Sequence, residues 1–306
     1  MHSRVHMTSA RVVAIAAAAV FLTGCPPQPN PPPPPSSPVH LYVGNGAATG
    51  GVRQYNLPIS AGSLPNFTIA TAPQVTALAV NPGELAVGRT GGQITFFPPP
   101  LSGSSSPSLT FPNGPAIEVR QIFFDGNAMF ATTRANYVNR FSAPFGTSPP
   151  VAITDPLLDE SYGVVRDVAG VLYVSNQVAD PLVKSNVVRI PPSGPSIATA
   201  PQLGCVYGHV VLAPAAVVVA CDNAPLLGRV DVYPLALAAG AAPAFSITNA
   251  VDTPVALALD ASGNLYVGNA GNSTVTVYQP PFSAASTAAV TLPVPSYQVR
   301  SLAIGP

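Results

Sequence analysis

Val255–Pro281 reads VALALDASGNLYVGNAGNSTVTVYQPP, and this stretch decides the fold. Ala256-Leu257-Ala258-Leu259 alternates small and large apolar residues, the period-2 pattern of a strand. Asp260-Ala261-Ser262-Gly263-Asn264 follows as a tight turn, with Gly and Asn supplying left-handed backbone. Leu265-Tyr266-Val267 is a second strand. After a polar loop comes a third, Val275-Thr276-Val277-Tyr278, stopped by Pro280-Pro281. Ala289-Val290-Thr291-Leu292 supplies a short fourth strand and closes the unit.

The same order recurs along the chain. Second strands begin at Leu41, Leu85, Met129, Leu172, Val217 and Leu265, with spacings of 44, 44, 43, 45 and 48 residues. Third strands end in a bulky residue at Tyr55, Phe97, Phe141, Ile190, Tyr233 and Tyr278, spaced by 42, 44, 49, 43 and 45. Four short strands repeating about every 44 residues predict an all-β propeller with six blades of four antiparallel strands. The first unit opens at Leu41 on its second strand and has no first strand of its own. Val299-Arg300-Ser301-Leu302-Ala303-Ile304 matches Val75-Thr76-Ala77-Leu78-Ala79-Val80, the first strand of blade two. The C-terminal segment is therefore expected to enter blade one and close the ring, leaving no open edge.

Composition agrees. The chain has 306 residues, with 38 prolines, 25 glycines and no tryptophan. Interior prolines cost a helix about 3 kcal/mol each, whereas here they fall between strands or at strand ends. Twelve Lys and Arg balance twelve Asp and Glu, and only 8% of residues are charged. A chain so poor in basic residues lacks the electrostatic footprint of a nucleic-acid binder.

The N-terminus reads as an address. Arg4 and Arg11 give a positive n-region, and Val12–Leu22 is an apolar run shorter than the ~20 residues that span a bilayer. Leu22-Thr23-Gly24-Cys25 resembles the lipobox of bacterial lipoprotein signals. That resemblance implies a signal peptide over residues 1–24, lipidation (palmitate) at Cys25 and a membrane-anchored, exported protein on the outer membrane or cell surface. Residues 26–38 carry nine prolines in thirteen positions, which favours a semi-rigid polyproline tether. The propeller then occupies residues 39–306. Without residues 1–24, ten basic residues face twelve acidic ones, and His40 and His209 are the remaining histidines.

Ala258 to Asn269 (ALDASGNLYVGN) resembles the NHL-repeat blade and its SMP-30/gluconolactonase-like relatives. The match is partial in Gly170–Asn176 and looser at Asp125-Gly126-Asn127. The absence of tryptophan excludes the WD dipeptide of WD40 blades. In such rings the site lies on the central face, among loops entering strand one and leaving strand two. The positions offered there are Asn45, Arg89, Arg134, Asn176, Asp222 and Asn269, joined by Glu118, Asp159, Glu160 and Asp252. Lactonase-like relatives bind a divalent cation through Glu, Asn and Asp, a hard donor set suited to Ca²⁺. Glu118, Asn176 and Asp222 would imitate it. The plainer reading makes Asn45, Asn176 and Asn269 turn residues that satisfy loop backbone. A zinc lyase site would need several imidazoles, and His209 lies in an apolar first strand where it reads as a packed core residue. Lys184, the lone lysine, reads as an exposed loop residue. No phosphate-binding loop, nucleophile elbow or HExxH motif occurs.

Cys205 and Cys221 flank the first hairpin of blade five. With the hairpin centred on residue 213 they would stand opposite each other, in reach of a disulfide; the alternative is two buried thiols. The expectation is thus a monomeric binding or scaffold module needing no cofactor, taking a protein, glycan or small molecule on one face. The competing expectation is a metal-dependent lactonase-like hydrolase with its site on the central face. A purely structural role in the envelope is the third.

Overall fold

The computed structural model describes residues 39–70, 74–81, 84–114, 117–178, 182, 184–223 and 228–306. The signal peptide, Cys25 and the tether lie outside the described residues. Those described form six sheets and no helix, a six-bladed β-propeller. The inner strands of blades one to six are Val299–Gly305, Val75–Asn81, Ile122–Asp125, Glu160–Arg166, Val206–Ala213 and Pro254–Leu259. Blade one is completed by His40–Asn45, Gly51–Asn56 and Phe67–Ile69, and its inner strand comes from the other end of the sequence. His40 pairs with Gly305 and Val43 with Leu302, so hydrogen bonds between the two ends of the described chain close the ring. Blade four departs from four strands: the two-residue strand Gln202–Leu203 adds to the edge of its third strand.

The core consists of six separate apolar layers, one between each pair of neighbouring blades. Leu41, Val43 and Tyr55 of blade one pack with Tyr266, Val275 and Leu292 of blade six. Tyr42, between Leu41 and Val43, points to the opposite side and packs with Val75, Leu85 and Phe97 of blade two. This is period-2 alternation in a strand buried on both faces, and it explains why the second strands read as unbroken apolar runs. Leu41, Tyr42 and Val43 are each no more than 1% exposed. Between blades two and three the layer is aromatic, with Phe96 stacked on Phe111 and Phe145 at ring-centre distances of 5.7 and 5.5 Å.

Adjacent blades approach closely near the end of the second strand, and five of the six blades meet that approach in one of two ways, blade five having Ala220 there. In LYVGN, LAVGR and LYVGN the fourth residue is Gly44, Gly88 or Gly268. A Cβ at these glycines would lie 2.6, 2.7 and 2.7 Å from a methyl of Val75, Val119 and Val299, the valine entering the next blade's inner strand. In blades three and four the same position carries a hydroxyl. Thr132 Oγ1 donates to the Tyr162 carbonyl at 2.7 Å and Ser175 Oγ to the Gly208 carbonyl at 2.6 Å. One solution removes a side chain to admit a valine, and the other spans the gap with a hydrogen bond.

The turn that begins the repeat also has a physical account. Asp260 accepts the backbone N–H of Ser262 and of Asn264, both at 2.9 Å, and its second oxygen accepts the Tyr266 hydroxyl at 3.2 Å. Asp167 in blade four does the same for the Val171 N–H at 2.9 Å and the Tyr173 hydroxyl at 3.3 Å. Asp and Tyr recur together because each tyrosine carries its hydroxyl back to the aspartate that folds its own hairpin.

Gly88→Ala should lower the free energy of unfolding by ~1–3 kcal/mol through overpacking against a stiff β-branched neighbour. In a Val119→Ala background the same change should cost clearly less. Urea denaturation of the four proteins in this cycle measures the coupling, and additive effects would refute the packing account.

Candidate functional site

Each inner strand slips register once, near its start. In blade one Val299 pairs with Asn45 and Ser301 with Gly44, leaving Arg300 bulged. Blade two bulges at Thr76, blade four at Tyr162 and blade six at Val255. In blade five Gly208 and His209 together lie outside the ladder. In blade three the Arg120 N–H donates to the Thr132 carbonyl while the Thr132 N–H donates to the Gln121 carbonyl, so two residues again face one. A bulge re-aims the side chain of the extra residue. All six blades use it at one level of the ring, and the bulged residues Arg300, Thr76, Arg120, Tyr162, Gly208–His209 and Val255 all line one axial cavity of about 80 Å³.

Charged groups gather around this mouth. Arg120 Nη2 pairs with Glu118 Oε2 at 2.7 Å. Arg134 pairs with Glu160 at 3.2 Å. The Tyr162 ring lies near both guanidiniums, with Arg120 Cζ 5.0 Å and Arg134 Cζ 5.6 Å from its centre. Its hydroxyl donates to Gln177 Oε1 at 2.8 Å, and burial holds the phenol above its ordinary pKa. Burial holds the Arg120 guanidinium below its ordinary value.

Two residues close the axis beneath the cavity. The Gln121 amide donates to the Val210 carbonyl at 2.9 Å, and its oxygen accepts the N–H groups of Val164 at 3.1 Å and Val210 at 3.0 Å. One side chain thus joins blades three, four and five. His209, 3% exposed, reaches across to the Arg120 carbonyl with Nε2 at 3.1 Å. A carbonyl only accepts, so Nε2 carries a proton in this arrangement. Beyond this floor the opposite mouth is a wider opening of about 420 Å³, apolar apart from Arg166, Gln121 and His209, and walled by residues such as Phe124, Leu212, Leu259 and Ile304.

Of the ten central-face positions that the sequence offers, only Glu118 and Asp222 line the cavity. Asn45 accepts the N–H groups of Ala47 and Gln298, both at 3.0 Å. Asn176 accepts those of Asp159 at 2.8 Å and Glu160 at 3.1 Å, and Asn269 that of Asp252 at 3.0 Å. These asparagines are latches: each ties the end of a second strand to the loop entering its own blade's inner strand. Arg89 ends the second strand of blade two, half-buried, with its pKa lowered by burial. Asp252 sits in the loop entering blade six, where its carboxylate accepts the Thr253 hydroxyl at 3.3 Å. The donor set Glu118, Asn176 and Asp222 does not fit a divalent cation. Glu118 is committed to Arg120, and the one amide oxygen of Asn176 already accepts two backbone N–H groups.

Cys205 and Cys221 are joined, with Cα atoms 5.5 Å apart. They are not directly opposed as a hairpin centred on residue 213 would make them. Ala213 pairs with Ala216 around a Pro214-Ala215 turn, and Cys221 faces Tyr207, so Cys205 lies two residues further on, outside the ladder. With buried Asp231 they form the sole group of three potential metal-ligating residues among the described residues. The bond occupies both sulfurs, and Asp231 accepts Ser246 Oγ at 2.6 Å, Arg229 Nε at 2.8 Å and the Tyr207 hydroxyl at 3.0 Å. Buried Tyr207 and Tyr233 share a 2.7 Å hydrogen bond, and burial raises both phenols, Tyr207 well above its ordinary pKa.

The sequence reading missed the bulged residues. Their signal was present: aligning the inner strands places Arg300, Thr76, Arg120, Tyr162, Gly208 and Val255 in one column.

No family model matches the chain, and no curated protein sequence does. Solved structures similar to it include a β-propeller domain. A protein of unknown function from Bacteroides caccae aligns over 88% of this chain and 99% of its own, with TM-score 0.62 and 12% identity. The WD40 propeller domain of Doa1 aligns over 85% of this chain and 81% of its own, with TM-score 0.58 and 10% identity. A chain of the COPII outer coat vertex on membranes aligns over 80% of this chain and 73% of its own, with TM-score 0.55 and 10% identity. At these identities the shared property is the fold.

Burial lowers the His209 pKa from 6.5 to about 4. Its neutral form thus contributes on the order of 3 kcal/mol of stability that is complete above pH ~6.5 and lost as pH falls toward 4. His209→Gln should flatten the stability profile across that window. Urea unfolding of both proteins between pH 4 and 7 checks this, and parallel profiles would refute it.

Proposed function

We propose that this chain is an exported, lipid-anchored binding or scaffold module of the bacterial cell envelope, working through the axial mouth of its propeller. The observation that carries the reading is the ring of bulged residues. Six strands each spend one ladder position to turn a residue toward a common point, and charged and polar side chains gather there, whereas the side chains lining the opposite mouth are mainly apolar.

The anchor and the mouth fit together. Inner strands run from the polar mouth toward the apolar one, and Gly305 at the far end of the blade-one inner strand pairs with His40. The chain therefore enters the ring on the apolar side. Residues 25–38, fixed to lipid at Cys25, would tether the ring to the membrane. Thirteen residues of polyproline reach ~40 Å, enough to hold the ring clear of headgroups. The resemblance to NHL-repeat and SMP-30-like blades fits this reading at the level of the Asp–Tyr hairpin in blades four and six. A propeller is a rigid platform, and the likeness to a WD40 domain and a coat protein supports a binding role.

Expression in a bacterial host supplied with labelled palmitate tests the anchor. The full chain should take up label and partition into detergent-rich phase, and Cys25→Ser should do neither while keeping the ring's thermal transition. Equal partitioning of both proteins would overturn the lipid-anchored reading.

A further inference from the structure

The axial cavity has a chemical sidedness that names the class of its ligand. On one side stand Arg300, Thr76 and Arg120, contributed by blades one, two and three. Thr76 is 5% exposed, and its hydroxyl is buried without a hydrogen-bond partner. A buried hydroxyl left unpaired is unfavourable, and a ligand oxygen would supply the missing partner. Arg120 Nε is likewise buried and unpartnered, although Nη2 holds Glu118. Arg300 forms no ion pair with a described residue. The two guanidiniums lie close enough to repel each other. On the other side, Val206, Pro254 and Val255 present an apolar wall.

We propose that this cavity binds a small organic monocarboxylate, its oxygens taken by Arg300, Arg120 and the Thr76 hydroxyl and its hydrocarbon part set against Val206, Pro254 and Val255. The inference rests on the reading of the axial mouth as the binding face. Guanidinium groups and a hydroxyl all donate, and a carboxylate accepts from several donors at once. The charge count selects a monoanion. Glu118 and Asp222 offset Arg120 and Arg300 in the cavity lining, so a phosphate dianion would add more unbalanced negative charge beside the two carboxylates than a monoanion does. The free space holds roughly six water-sized spheres, matching a carboxylate with a short carbon chain.

Butyrate, butyramide and inorganic phosphate serve as probes against the complete ring, followed by NMR of backbone amides around Thr76, Arg120 and Arg300. Butyrate should shift these signals saturably, butyramide at least tenfold more weakly, and phosphate more weakly than butyrate. Thr76→Val and Arg300→Gln should each weaken butyrate at least tenfold. Thr76→Ser, which keeps the hydroxyl, should retain it. Thermal unfolding confirms that the variants are folded, and the comparison of probes on the unaltered protein stands without them. The proposal is overturned if butyrate produces no saturable shift, if phosphate or butyramide binds as well, or if folded Arg300→Gln binds butyrate unchanged. A neutral ligand that shifts the same amides would overturn the carboxylate assignment and leave the axial mouth standing as the binding face.

Discussion

The close approach of each second strand to the next blade's inner strand is the constraint on which the rest of the molecule depends. Six sheets packed radially must come nearer to one another toward the axis, and side chains there have less room than at the rim. Gly44, Gly88 and Gly268 yield that room to a valine, while Thr132 and Ser175 occupy it with a hydroxyl that donates to the neighbouring carbonyl. These hydroxyls end on the carbonyls of Tyr162 and Gly208, residues inside the bulges of the next blade. A bulged residue leaves a carbonyl outside its own ladder, and such a group needs a partner when buried. Packing between blades and the shape of the axial mouth are therefore one problem, solved by the same few positions.

Closure of the axis follows from it. An open channel through six strands would expose the ladder-free groups to water from both sides. Gln121 fills the space and satisfies three backbone groups on two other blades, and His209 reaches from blade five to blade three. Their cost is burial of polar atoms, offset only while every bond is made. The floor they form separates the two mouths of the ring.

Much of the fold was legible because a propeller writes itself as a period. Leu-Tyr-Val runs and bulky residues before proline repeat along the sequence, and ring closure was readable from the likeness of Val299–Ile304 to Val75–Val80. The site was less legible, for a physical reason. A bulge adds one residue to a strand, so it breaks the alternation from which facing is deduced. Arg300 and Thr76 were aligned as strand residues, yet their turn toward the axis depends on a slip in pairing with another strand. Asn45, Asn176 and Asn269 show the converse. They stood at positions a site would use, and their regular recurrence at the ends of second strands reflects a local task, the holding of an entering loop. The cysteines are joined as expected but not directly opposed, because their hairpin turns at Pro214-Ala215 and not at residue 213; the bulge at Gly208 and His209 recovers one residue of that offset.

The bulged positions also explain how a chain with so few charges can concentrate them. A residue on the ladder must suit two packed layers, which is why Leu, Val, Ala and Tyr dominate there. A bulged residue is partly released from that requirement, because it lines the axial cavity. The six axial positions hold two arginines, a threonine, a tyrosine, a valine and a glycine–histidine pair, a variety that the ladder positions beside them lack. Arg300 and Thr76 lie next to Val299 and Val75, which are fully buried in the layers between blades. Chemistry at the mouth is thus separated by a single residue from the packing that holds the ring together, so the axial side chains are free to differ while the propeller stays the same.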